Sequence, residues 1–153
     1  MKIYKITTLI IIFFLSACGY KIANNIEDYK FSVSKYNLKG EKKINNILDR
    51  NFKRFVKNEN SIKVFEIEST SKFDTSIMSK DSTGKAASYK MEITIDLNIS
   101  SNNDLLKRIS FNEKTNYDNT DSKFELKQYE DIILQDLVDK IVFQINNYLS
   151  TIK

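Results

Sequence analysis

The chain has 153 residues, 41% of them hydrophobic, with 24 Lys+Arg against 20 Asp+Glu and a formal charge of +4. That suffices for one ordinary domain with an apolar core, and it excludes wholesale disorder. With no His, one Cys, no Pro and three Gly, the common zinc sites, Cys/His and Ser-His-Asp nucleophiles, a disulfide framework and a Gly-rich phosphate loop are excluded. Acidic and basic residues are interspersed, so charge gives no nucleic-acid surface. No cofactor and no metal are expected.

The N-terminus reads as a targeting segment. Lys2 and Lys5 precede Ile6–Leu15, an apolar run broken only by Thr7 and Thr8, and small residues follow at Ser16 and Ala17. A positive n-region, an h-region of this length and small residues at its end describe a secretory signal. As a helix the run would span roughly 15 Å, about half of a bilayer core, so a permanent transmembrane helix is not expected.

The single cysteine, Cys18, ends the stretch Leu15-Ser16-Ala17-Cys18, which resembles the bacterial lipoprotein signal, or lipobox. The resemblance implies diacylglycerol on the Cys18 sulfur, cleavage before Cys18 and acylation of the new amino group, with palmitate among the chains. Two or more acyl chains anchor stably where one does not. The competing reading is a free thiol or a core cysteine, but a position just past an h-region belongs to no core. Residues 1–17 are thus expected to be removed, 18–27 to form a lipidated tether and 28–153 to form a single domain. Gly19 stands where an Asp would favour inner-membrane retention, which resembles the outer-membrane default.

In the mature region, Tyr29–Leu38 alternates Phe31 and Val33 with Lys30, Ser32 and Ser34, the period of a half-buried strand. Gly40 punctuates. Residues 41–56 place Ile44, Ile47, Leu48, Phe52, Phe55 and Val56 on one helical stripe, with Glu41 at the start and Lys53, Arg54 and Lys57 at the end to suit the helix dipole. Ser61–Ile77 reads as a strand, clear in "IKVFEIE" and more polar afterwards. Residues 79–85, "SKDSTGK", read as a loop.

Ala87–Ser100 alternates most regularly. Tyr89, Met91, Ile93, Ile95, Leu97 and Ile99 interleave with Lys90, Glu92, Thr94, Asp96, Asn98 and Ser100, which specifies register. "SNND" at 101–104 makes a turn. Leu105–Tyr117 follows as a strand with Ile109, Phe111 and Tyr117 on one face, paired with its predecessor as a hairpin. Asp121–Ile152 reads as one long helix. Its ladder is Tyr129, Ile133, Leu137, Ile141, Ile145 and Leu149, widened by Leu134, Val138, Tyr148 and Ile152. Asp121 or Ser122 is the expected N-cap, with Glu125 in the first turn. The order β-α-β-β-β-α predicts an α+β fold, a four-stranded sheet with two helices packed on one face. Each apolar stripe is core.

Residues 83–99, "TGKAASYKMEITIDLNI", and 107–149 together resemble the LPS-assembly lipoproteins of the LptE type, also called rare lipoprotein B. The matching features are Tyr89 opening a long alternating strand, Tyr117-Asp118 closing the next and Ser122–Phe124 leading into a helix. That helix carries Glu130-Asp131 and ends near Tyr148-Leu149, and Gly19-Tyr20 follows the lipobox. The resemblance implies a non-enzymatic lipoprotein, lipid-anchored on the periplasmic side of the outer membrane. It implies a partner, the large β-barrel LptD, whose lumen the protein plugs and whose assembly it aids, and a role in delivering lipopolysaccharide to the cell surface.

Relatives are thought to touch lipopolysaccharide through basic residues, and lipid A phosphates favour Lys and Arg. The candidates are Lys80 and Lys85 in the 79–85 loop, and Lys107 and Arg108 after the 101–104 turn. Solvated charge at loop ends is the alternative for each. Two other functions compete. A periplasm-facing lipoprotein could serve as an interaction module for another cell-envelope complex, such as a cell-wall synthase, through an exposed apolar patch. A carboxylate-only hydrolase could use Glu66/Glu68 or Asp118/Asp121.

Overall fold

In the computed structural model, residues 29–56, 58, 61–102 and 104–152 are described. Cys18, the signal segment and the tether lie outside the described residues. Met91, Ile93, Ile95, Leu97 and Ile99 project from one face of the third strand and are all but fully buried, as their alternation requires. Around that strand the elements run in the expected order: β1 (Phe31–Gly40), α1 (Lys42–Phe55), β2 (Lys63–Lys80), β3 (Ala86–Ser101), β4 (Asp104–Asp118) and α2 (Lys123–Thr151). The sheet is mixed. Its spatial order is β1-β2-β3-β4, with β1 and β2 parallel and the other two pairs antiparallel. Parallel neighbours need a crossover, and α1 supplies it.

Both helices lie on the face carrying the β3 aliphatics. α1 buries Ile44, Ile47, Leu48, Phe52 and Phe55 there, and α2 buries Ile133, Leu134, Leu137, Val138, Ile141, Ile145 and Leu149. Each such side chain contributes about 1.5–3 kcal/mol relative to exposure. Phe31 stacks on Phe55 with ring centroids 4.6 Å apart, tying β1 to the end of the crossover helix. Ser122 is the N-cap of α2: its Oγ accepts from Glu125 N at 3.3 Å. Glu41 occupies the N-cap of α1 without a side-chain cap.

β1 breaks the simple alternation. Its register against β2 slips between Val33 and Lys35, a bulge at Ser34, whose Oγ donates to Phe65 O at 3.2 Å. A bulge reverses the phase of the residues after it. Phe31 and Val33 before it, and Tyr36 and Leu38 after it, therefore all pack against the core.

Element boundaries shift from expectation by one to three residues, most in β1 and β2. β1 runs two residues later than Tyr29–Leu38. β2 continues past Ile77 to Lys80, because β3 pairs with it as far as Ala86, and the connecting turn shrinks to residues 81–85. Tyr129, expected on the buried ladder of α2, is 47% exposed. It meets the Tyr117 ring edge-on at 6.2 Å.

Candidate functional site

β2 and β3 are far longer than the helix that crosses over them. β1 ends where Gly40 pairs with Ser71. From Lys72 to Lys80, β2 has β3 on one side and no strand on the other among the described residues. Phe73, Ile77 and Met78 are accordingly exposed there, although Phe73 and Ile77 continue the buried face of Phe65 and Ile67. The β2–β3 hairpin thus projects beyond α1 with one open edge. Open edges invite strand addition unless blunted. On this one, charge comes only from Lys72, Asp74 and Lys80.

The hairpin tip is ordered by one side chain. Asp81 Oδ1 accepts from Thr83 N at 2.8 Å, Thr83 Oγ1 at 2.7 Å and Lys85 N at 3.0 Å. Asp81 N donates to Lys85 O, and Gly84 N to Asp81 O. The Thr83 hydroxyl and amide hold the Asp81 carboxyl below the usual carboxylate range, with Lys85 and Gly84 amides adding to them. Gly84 has φ +86°, a conformation that glycine adopts at little cost. Lys80 and Lys85 flank this turn.

The sheet face away from the helices is polar. Lys90 Nζ lies 3.1 Å from Glu92 Oε2, and Lys72 Nζ lies 3.5 Å from Asp96 Oδ2. Asn112 Nδ2 donates to Glu92 Oε1 and Thr94 Oγ1. Lys90 foremost, then Asn112, holds the Glu92 carboxyl below its ordinary range. Exposed pairs of this kind contribute little stability by themselves.

The four basic candidates fall into two separate pairs. Lys80 pairs with Ala86 at the hairpin tip, while Arg108 pairs with Asn98 at the other end of β3. Twelve strand residues separate those two positions, about 40 Å. Lys107 lies opposite Ile99 beside Arg108. One compact phosphate cluster cannot engage both pairs.

The carboxylate candidates are also placed. Glu66 and Glu68 share the polar face and line a shallow hollow of about 470 Å³ with Lys35, Tyr36, Asn37, Ile67 and Ser100. Neither is buried. Asp118, the last residue of β4, and Asp121, in the connection to α2, are both exposed. Among the described residues no group of three or more His, Cys, Asp or Glu is placed to hold a metal ion. No described helix is long and apolar enough to cross a membrane.

No family model matches the chain, and no curated protein matches it by sequence. Solved structures do. Rare lipoprotein B from Shewanella oneidensis aligns over 74% of this chain and 95% of its own, at 11% identity with a TM-score of 0.53. A minor lipoprotein from Acinetobacter baumannii aligns over 80% and 91%, at 14% identity with a TM-score of 0.56. Lipoprotein B from Nitrosomonas europaea aligns over 87% and 94%, at 16% identity with a TM-score of 0.57. The fold is that of these lipoproteins. At such identities the likeness is of backbone architecture.

One feature escaped the sequence reading. Asn51 and Asn146 are buried between α1 and α2, and each Nδ2 donates to the other's Oδ1 at 3.1 Å. The available signal was a polar residue at a stripe position. Asn51 falls three residues after Leu48 and four before Phe55, on the apolar side of α1.

Proposed function

We propose that this chain is a lipid-anchored outer-membrane lipoprotein of the LptE type. It plugs and helps assemble the LptD β-barrel for delivery of lipopolysaccharide. The observation that carries this reading is the architecture shared with rare lipoprotein B over most of the chain, on a sequence whose N-terminus carries a lipobox. The polar sheet face supports it, because the lumen of a large barrel is polar and wet. The Asn, Thr, Lys, Glu and Asp side chains of this face can exchange water for luminal hydrogen bonds, and exposed apolar side chains on it, Val64 and Leu105, lie toward the end of the sheet near the β3–β4 turn. The projecting β2–β3 hairpin, with its ordered tip and open edge, is the element best shaped to reach along a lumen. The role is one of binding and assembly, with no catalytic step.

Affinity purification of the tagged chain from native outer membrane tests the proposal. A large β-barrel is expected to co-purify in about equal amount. Recovery of the chain alone, or with a cell-wall synthase or another envelope complex, overturns it.

A further inference from the structure

The end of the sheet opposite the hairpin tip carries an exposed apolar cluster. Ile62 is 74% exposed, and Val64, Leu105 and Leu106 are 44–50% exposed. Ile62, Val64 and Leu106 line one shallow trough of about 400 Å³. Ile62 N donates to Lys30 O at 2.9 Å, Ser101 Oγ donates to Val64 O at 3.1 Å, and Leu105 pairs with Ser100. Contiguous exposed apolar side chains mark an interaction surface. Lys30, Lys107 and Arg108 stand around it, and Asp104 and Glu66 are the acids at this end. Lys107 and Arg108 are consecutive strand residues, so they project to opposite faces of the sheet.

The same end receives the chain from its N-terminus. Phe31 pairs with Lys63, so β1 begins beside Ile62. Tyr29 lies eleven residues after Cys18, a reach of at most about 40 Å even fully extended. From Ala86 to Ser101, β3 spans about 50 Å. A domain standing on its hairpin tip would hold Tyr29 farther from a bilayer than an acylated Cys18 allows. The end that the anchor can bring down is the end with the apolar cluster.

We propose that this end is a membrane-docking surface. Ile62, Val64, Leu105 and Leu106 enter the boundary between headgroups and acyl chains of a phospholipid bilayer, and Lys30, Lys107 and Arg108 meet lipid phosphates. The inference rests on the lipid anchor proposed at Cys18 and needs no barrel. Interfacial elements sink about 5–10 Å into that boundary, a depth of two or three strand residues. Long basic side chains lay their stems along apolar surface and keep their charged heads at phosphate level. So small a patch would hold a free protein weakly. The anchor makes docking intramolecular, and the high effective concentration populates a weak contact. Docked in this way, the domain stands upright, with the Asp81-ordered tip of the β2–β3 hairpin directed away from the bilayer.

The test places the mature lipidated chain in nanodiscs of phosphatidylethanolamine and phosphatidylglycerol that carry a nitroxide on an acyl chain. Neither lipopolysaccharide nor a barrel is present. Broadening of isoleucine and leucine methyl resonances reports nearness to the nitroxide. Ile62, Leu105 and Leu106 should broaden strongly. Ile77, 52% exposed on the hairpin, should stay sharp. Ile62→Ser with Leu106→Ser should cut the broadening at Leu105 about threefold or more, because the apolar area that enters the bilayer is lost. Ile62→Ser alone gives an intermediate loss and serves if the double variant folds poorly. A chain that the nanodiscs do not retain overturns the anchor, and the docking falls with it. A retained chain overturns the docking alone if Ile62, Leu105 and Leu106 stay sharp, whether the patch stands in water or against a second copy. Equal broadening at Ile77, or unchanged broadening in the serine variants, overturns it as well.

Discussion

A Cβ on Gly40 would stand 2.0 Å from the carbonyl oxygen of Ser71, with Gly40 at φ +99°. The last residue of β1 is pressed against β2 just before the chain turns into α1. Two costs then meet at one position: left-handed backbone, about 1–2 kcal/mol for a residue with a Cβ, and a clash with backbone that cannot swing aside. Gly40→Ala is expected to destabilise the domain by about 3 kcal/mol or more. Urea unfolding would measure it. A loss below about 0.5 kcal/mol would show that the close approach is not part of the fold.

The buried asparagine pair makes a prediction about coupling. Asn51→Leu alone leaves Asn146 without its partner, and an unsatisfied buried amide costs about 1–3 kcal/mol. Asn146→Leu should cost a similar amount. Replacing both removes the unsatisfied groups together, so the double variant should recover most of the loss. Thermal unfolding of the three variants completes the cycle. Strict additivity would mean that the reciprocal bond does not hold the helices in register.

Tyr36 predicts an alkaline signature. Its Oη donates to Asp49 Oδ1 at 2.8 Å. Burial, then that bond and the Asp49 charge, push the phenol up from 10.0 to about 12. Lys53 and Tyr36 in turn hold the Asp49 carboxyl below its usual range. The folded state therefore keeps the Tyr36 proton more tightly than the unfolded chain does. Its contribution is whole below pH 10 and shrinks as pH rises toward 12. Tyr36→Phe should cost about 1 kcal/mol at neutral pH, and the gap to the parent should close between those two pH values. A gap that stays constant up to pH 12 would remove this role.

The two basic pairs should act independently. With about 40 Å between them and a Debye length of about 8 Å at physiological salt, neither feels the other. Replacing Lys80 and Lys85 with Ser, or Lys107 and Arg108 with Ser, should each weaken lipopolysaccharide capture by up to about tenfold. The fourfold variant should show the product of the two effects. Capture unchanged in the fourfold variant would strike all four residues from the proposal.

Cys18→Ala should leave the precursor uncleaved and without lipid. Labelled palmitate supplied to growing cells should enter the parent chain and not the variant. Incorporation into the variant would show that the anchor lies elsewhere.

Wherever periodicity alone decides, the sequence determined the outcome. The alternation of β3 set which side chains face the helices, because successive strand residues must point to opposite faces. The apolar stripes of α1 and α2 set which helix faces lie on the sheet, and the cap of α2 was legible as Asp121 or Ser122, of which the structure uses Ser122. What a single strand or helix cannot show is its neighbour. Phe73 and Ile77 belong to the buried face of β2 by pattern, yet they are exposed because β1 stops at Gly40 and β2 does not. Lys80 and Arg108 look alike in sequence, and strand pairing carries them to opposite ends of β3. Asn51 and Asn146 are 95 residues apart. Only the packing of α1 against α2 makes two isolated polar positions into a satisfied pair. Local pattern fixes the direction of each side chain, while burial and juxtaposition depend on where another element ends, and that is decided only by the tertiary fold.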